Sequence, residues 1–277
     1  MKRRSILIST VFLLLILNVA GFEYNFAKDD LDPEKLIAEH LKSLGGPEGF
    51  AKIKTRRIEG KVTLKFVTGG QGPKGGDALL LSETGKMGII FSYKGSGYRG
   101  VRSGEYYAYD SQQVAAGASP LATFLYSHTG IVKNGLLFGT LNVNWPLLKE
   151  SQAKAKCHKR TIDKKDLLEL EYIPRESMSY LIVKIYFDPT TYYHVMTTYC
   201  WQVSGGYVLT EKFEDFRKVD SITLPYRSSI NLINFSLQGS DFEGGYVGRS
   251  HTLEAVYTFE AEKIAHNEKI DPQYYHQ

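Results

Sequence analysis

The sequence predicts a mainly β protein, a series of antiparallel hairpins with a helix at the start and helical material in the middle. Three observations predict it. Short runs alternate apolar and polar residues, as strands with one wet face do. Glycine-rich turns separate these runs at hairpin spacing. Strand and helix patterns do not alternate along the chain, so a parallel sheet built from βαβ units is excluded.

The elements follow in order. Lys2, Arg3 and Arg4 precede an apolar stretch from Ile6 to Val19, and the small residues Ala20 and Gly21 follow. That layout is a secretory signal peptide. The apolar run is shorter than the roughly 20 residues a membrane-spanning helix needs. Residues 1–20 are therefore expected to be removed, with cleavage as late as residue 27. An uncleaved anchor is the alternative. Phe22 stands where a lipoprotein signal would carry cysteine. The expected compartment is the periplasm.

Removing Lys2, Arg3 and Arg4 takes three charges from a net charge of +4 and leaves +1. No basic stripe remains to neutralise a run of phosphates, which argues against a nucleic-acid partner. The remaining chain, residues 28–277, is of a length that all-β barrels commonly use for one domain. It holds Cys157 and Cys200. In an oxidising compartment these either pair or stay as two separate buried thiols, and sequence supplies no Cβ distance to decide.

Asp30 to Leu44 predicts a helix. Asp32 suits the cap, Pro33 the first turn, and Leu36, Ile37, Leu41 and Leu44 keep a helical period. Gly45 and Gly46 end it, and a second short turn is expected over Pro47 to Ile53. The period then becomes two. Ile58, Gly60, Val62, Leu64 and Phe66 alternate with Glu59, Lys61, Thr63 and Lys65. Short strands are predicted over Leu79–Glu83, Lys86–Tyr93, Tyr98–Arg102 and Glu105–Tyr109. Residues 113–150 break the β rhythm. Ser119-Pro120 can start a helix whose one face carries Leu121, Phe124 and Leu125, and residues 117–138 are expected to form a lid over the sheet. Strands resume near 155–161, 166–173, 179–187, 192–203, 206–218, 222–237 and 252–265. Leu181, Val183, Ile185 and Phe187 share one face, as do Val195, Thr197, Tyr199, Trp201 and Val203. The total is about a dozen strands.

Motifs for chemistry are weak. Gly70 to Gly75 matches G-x-G-x-x-G, but strands flank it and Pro73 removes a donor, so a phosphate cradle is not expected. Seven histidines show no zinc spacing, and Cys157 and His158, adjacent on a strand, face opposite sides. No nucleophile elbow is present, Gly95-Ser96-Gly97 being too short. Glu211, Glu214 and Asp215 read as a solvated face of one hairpin. No catalytic residue, metal or cofactor is expected. The positive signal is 19 tyrosines and 14 phenylalanines, residues that build cores and also line cavities.

Three stretches resemble one family. Leu36 to Leu64, reading LIAEHLKSLGGPEGFAKIKTRRIEGKVTL, is similar to the opening of the outer-membrane lipoprotein-sorting (LolA/LolB-like) family. Phe213 to Ile230, FEDFRKVDSITLPYRSSI, resembles a hairpin of the same group, with Ser221 in place of the usual glycine. Lys263 to Tyr274, KIAHNEKIDPQY, resembles its closing segment. Ser103 to Tyr109 and the turn Asp188 to Thr191 fit between them. The resemblance implies an unclosed, strongly curved antiparallel β-barrel with an N-terminal helix and a mid-chain helical lid. It implies a hollow for acyl chains between lid and sheet. The expected cavity residues are Ile58, Val62, Leu64, Phe66, Ile89, Phe91, Leu121, Phe124, Leu125, Leu181, Val183, Tyr199 and Trp201.

Two departures bear on the role. The carriers have an Arg-Pro pair whose arginine governs lid closure, whereas here Gly85-Lys86-Met87 occupies the comparable place. The receptor members carry lipid on a first cysteine that this chain lacks. The expected function is a monomeric, non-enzymatic periplasmic carrier or chaperone of lipids or lipoproteins. It would take acyl chains and hand them to an inner- or outer-membrane protein. The alternative is a lipid-responsive envelope sensor that binds a membrane partner.

Overall fold

The computed structural model describes residues 32–70, 72–93, 103–111, 113–117, 119–148, 154–173, 181–201, 207–237 and 249–276. The signal segment, its cleavage sites, the strand expected over Tyr98–Arg102 and the turn Gly95–Gly97 lie outside the described residues.

Twelve strands form one antiparallel sheet. They are β1 (Thr55–Thr68), β2 (Lys74–Glu83), β3 (Lys86–Tyr93), β4 (Ser103–Asp110), β5 (Gln113–Ala116), β6 (Lys154–Ile162), β7 (Lys165–Ile173), β8 (Leu181–Phe187), β9 (His194–Trp201), β10 (Tyr207–Val219), β11 (Ile222–Leu237) and β12 (Arg249–His266). Their order is β5-β4-β3-β2-β1-β12-β11-β10-β9-β8-β7-β6. The first strand therefore pairs with the last, Ile58 opposite Ile264 and Val62 opposite Phe259. The sheet stays unclosed and curved. Laid flat, twelve strands would span on the order of 50 Å. Yet Ile58 on β1, Tyr107 on β4, Cys157 on β6, Val183 on β8 and Leu232 on β11 share one buried cluster.

The two free edges, β5 and β6, are consecutive in the chain, and the segment between them is the lid. It holds α3 (Pro120–Ser127), α4 (Thr129–Lys133) and two single 3₁₀ turns at Gly139–Leu141 and Pro146–Leu148. Ser119 caps α3, its Oγ accepting from Ala122 N at 3.0 Å. Leu121, Ala122, Phe124 and Leu125 are buried.

At the N-terminal end, α1 (Pro33–Ser43) and α2 (Pro47–Ala51) precede the sheet. Asp32 caps α1 by accepting from Glu34 N at 2.9 Å. The helix buries Leu36, Ile37, His40 and Leu41. It ends by docking on the β10–β11 hairpin, where Leu44 O accepts from Thr223 N at 2.8 Å. Gly45 makes that approach: its φ is +113°, and a Cβ there would lie 2.3 Å from Ser221 O. At the turn of the hairpin Asp220 is left-handed, with φ +53°.

Alternation along β1 is as expected. Ile58, Val62 and Leu64 are buried while Lys61, Thr63 and Lys65 are exposed. Three features differ from the sequence reading. Gln113–Ala116 is a short strand on the edge of the sheet rather than loop. It alternates too briefly to stand out, and pairing with β4 makes it a strand. Ser103 and Gly104, left between two expected strands, lie inside β4, opposite Tyr93 and Ser92. A bulge where β8 meets β9 pairs Phe187 with His194 and Tyr186 with Met196. An extra residue in one strand flips the facing of what precedes it. Val195 therefore packs with Leu167, Tyr186 and Met196 outside the main core, and His194 is buried instead.

Candidate functional site

The inner face and the lid are built from the same kind of surface. On the sheet, Ile58, Val62, Leu64, Ile89, Phe91, Val183 and Tyr199 are buried in the main cluster; Leu121, Phe124 and Leu125 of α3 join them. Phe66 and Leu181 pack at its margin. The side chain of Trp201 lies outside the described residues. The rest of the lid adds Ile131, Val132, Leu136, Leu137, Phe138, Leu141, Trp145 and Leu147 to the cluster. In this closed arrangement the lid fills the curve of the sheet. The void bounded by Ile58, Leu80, Met87, Phe138 and Leu141 measures about 10 Å³, room for about one water. An acyl chain could occupy the inner face only by displacing lid side chains.

Polar contacts tie the lid down. The stretch 136–144 is held at many points. Phe138 N donates to Glu211 Oε1 at 2.8 Å, and Tyr199 Oη lies 2.8 Å from both Leu136 O and Glu211 Oε2. Arg56 Nη1 donates to Thr140 O. Val143 N donates to Ser82 Oγ at 3.3 Å, Asn144 Nδ2 to Glu83 O at 2.8 Å, and Gly85 N to Asn144 Oδ1 at 3.0 Å. From α3, Leu121 N donates to Tyr257 Oη at 3.3 Å, and the capping Ser119 hydrogen-bonds Glu105. Behind it Tyr93 and Tyr257 donate to Glu105 Oε1 at 3.0 and 3.4 Å. Burial holds the Glu105 carboxyl above its ordinary range, against the opposing pull of these donors.

Four buried polar residues lie on this inner side, and the sequence reading placed none of them there. Glu211 corrects it directly. Expected on a solvated face, it is 1% exposed, and burial raises its pKa from the ordinary 4.5 to about 7. The physical reason is alternation: Glu211 lies between Leu209 and Phe213, which point inward, and not with Lys212 and Glu214, which point out. Arg56 shares the inward side of β1 with Ile58 and is also 1% exposed. His40 and His194 flank Trp145. The indole stacks on His194 at 4.8 Å and meets His40 edge-on at 5.4 Å. His40 Nδ1 binds Tyr192 O at 2.7 Å, and burial drops its pKa to about 4. Burial likewise holds His194 well below its ordinary value. Glu211 and Arg56 sit at an inward parity, a signal present in the sequence, whereas His40 lies on the buried face of α1 and His194 is turned in by the bulge.

Cys157 and Cys200 are free thiols. Cys157 stands opposite Leu170, then Ile185, then Thr197, so it faces inward. Cys200 has the opposite parity to the inward Tyr199. Two strands separate β6 from β9, a gap of roughly 14 Å, so the paired alternative does not fit this sheet. Burial pushes the Cys157 thiol up to about 12. Among the described residues, no three His, Cys, Asp or Glu side chains gather to hold a metal. Among them, too, no helix is long and apolar enough to cross a membrane.

No known family pattern matches the chain, and no curated protein matches it. Solved structures do. The chain is similar to an outer membrane lipoprotein-sorting protein domain from Vibrio parahaemolyticus, at 9% identity over 87% of this chain and 94% of that one, with a TM-score of 0.45. It is similar to a DUF1329 family protein from Desulfovibrio piger, at 12% identity over 88% and 98%, with a TM-score of 0.41. The structure of MucB in complex with MucA(peri) aligns at 7% identity over 84% and 100%, with a TM-score of 0.21. All three scores lie below 0.5, so the functional reading rests on the geometry of the chain itself.

Proposed function

We propose that this protein binds a hydrophobic ligand, the acyl chain of a lipid or lipoprotein, on the inner face of its sheet, and that it does so in the periplasm without catalysing a reaction. The observation that carries the reading is the lid. A separate apolar segment joins the two free edges of the sheet and covers its apolar face, and within it α3 buries Leu121, Phe124 and Leu125. Magnitudes say how much of the lid a ligand can replace. An acyl chain of about fifteen methylenes offers roughly 12 kcal/mol gross at about 0.8 kcal/mol each. Exposing Leu121, Phe124 and Leu125 costs roughly 5–9 kcal/mol at about 1.5–3 kcal/mol per side chain. The chain can therefore take the place of α3, whereas displacing all the large apolar lid residues would cost more than it returns. Release to a membrane-protein partner is the reverse exchange, with α3 closing again over the vacated face.

The test is a titration of the purified protein with a long-chain fatty acid carrying a fluorescence quencher, read through Phe91→Trp. Saturable quenching is expected, together with faster hydrogen exchange in α3 than in residues 136–144. Flat fluorescence and unchanged exchange would remove the reading.

A further inference from the structure

Arg56 is a buried cation without an anion. Its Nη1 donates to Thr140 O, while Nε and Nη2 are buried with no hydrogen-bond partner. Among the described residues no carboxylate pairs with it. A guanidinium has five N–H donors in a rigid fork, and leaving it desolvated and unpaired is unfavourable. Burial brings its pKa from 12.5 down to about 9, so at neutral pH it keeps its charge and the need for a counter-ion.

Arg56 is also among the residues that line an open cleft of about 510 Å³, a volume within the range of small-molecule sites. The cleft lies beside α2 and the end of the lid. Phe50, Ile53, Val143 and Leu148 give it apolar walls, and Lys54 adds a second cation. The acidic side chain of Glu48 is also on its lining, but that residue is exposed and leaves the buried fork of Arg56 unopposed. Arg56 also faces His266 across the β1–β12 pair, and His266 Nε2 is a further buried nitrogen with no partner.

We infer that this cleft is a binding site for an anionic amphiphile, with a carboxylate or phosphate head on the free Nε and Nη2 of Arg56 and a short apolar stem against Phe50, Ile53, Val143 and Leu148. A planar or tetrahedral oxyanion matches the guanidinium fork through paired N–H···O bonds. The apolar walls favour an ion that carries a tail over a bare one. The site is separate from the inner face under α3, so it stands or falls independently of the acyl-chain reading above.

Calorimetric titration of the full chain with sodium decanoate, decanol and inorganic phosphate tests it. Decanoate is expected to bind, with decanol and phosphate each at least about tenfold weaker, and Arg56→Met is expected to weaken decanoate by at least about tenfold. Arg56→Met removes an unpaired buried charge together with the bond to Thr140 O, so its melting temperature without ligand is measured alongside to show that it is folded. Should that variant fail to fold, the Nε–H resonance of Arg56 in the unaltered protein is the readout, shifting with decanoate and not with decanol. Equal binding of decanol, or of decanoate to Arg56→Met, or an unmoved Arg56 resonance, would overturn the site. Phosphate binding as tightly as decanoate would overturn the amphiphile in favour of a free oxyanion.

Discussion

The Tyr199 hydroxyl has one hydrogen and two acceptors, Leu136 O and Glu211 Oε2, each 2.8 Å away. Both contacts are good only if Glu211 is protonated. Its acid proton then goes to Tyr199 Oη, the Tyr199 proton goes to Leu136 O, and Oε1 still accepts from Phe138 N. The raised pKa of about 7 agrees with this. The sign for stability follows. An acid whose folded pKa is raised from 4.5 to about 7 stabilises the fold below 4.5 and loses that contribution as pH rises through 7, a loss of about 3 kcal/mol. His40 acts oppositely. Its folded pKa is lowered from 6.5 to about 4, so its contribution is full above 6.5 and fades as pH falls through 4. Over the same window the two slopes oppose each other, which hides both in the unaltered protein. Glu211→Gln separates them. Its amide oxygen can still accept from Phe138 N, and its amide can donate to Tyr199 without titrating. Its stability relative to the unaltered protein should grow by about 3 kcal/mol between pH 4.5 and 8, measured by urea unfolding. A pH-independent difference would mean that Glu211 is ionised in the fold.

At the scale of elements, the lid is held by backbone as well as side chains. Phe138 has φ +64° and Gly139 φ +48°, two left-handed residues in succession where the segment bends beneath Glu211. A Cβ on Gly139 would sit 2.6 Å from His194 Nδ1 and 3.3 Å from the Phe213 ring. Gly139→Ala should therefore cost about 1–3 kcal/mol and raise hydrogen exchange in residues 136–144. Ala122→Gly, in α3, should instead loosen α3 alone, by about 1 kcal/mol. On the sheet, Phe91 is buried and lies 6.1 Å from the Tyr257 ring. Phe91→Trp should destabilise the ligand-free protein by about 1–3 kcal/mol, with ligand recovering part of that loss.

The same elements show what was legible beforehand. Asp32 and Ser119 announced α1 and α3, because a capping side chain is a local signal. The strands of β1, β3 and β8 were legible from alternation. The bulge at Val195 was not, since it depends on how β8 and β9 pair. With it went His194, turned inward against the apparent period. Glu211 and Arg56 were legible by parity; Glu211 was misread because isolated charges usually face water, and Arg56 was passed over.

For the whole molecule, the pairing of β1 with β12 joins residues about 200 apart in sequence and has no local signal; the strand patterns alone would fit several meanders. The sequence resemblance supplied the unclosed sheet, and the twelve-strand order bears it out. That order also explains why the lid is where it is, since residues between the two free edges must cross the open seam. A face covered by its own chain is a face that another apolar chain can compete for, and that is the central claim. Native mass spectrometry of the protein purified from its native cells tests it most directly. The account predicts a bound mass matching an acyl-chain lipid, lost on delipidation and regained on incubation with that lipid. A bare protein mass that stays bare after incubation with long-chain lipids would contradict it.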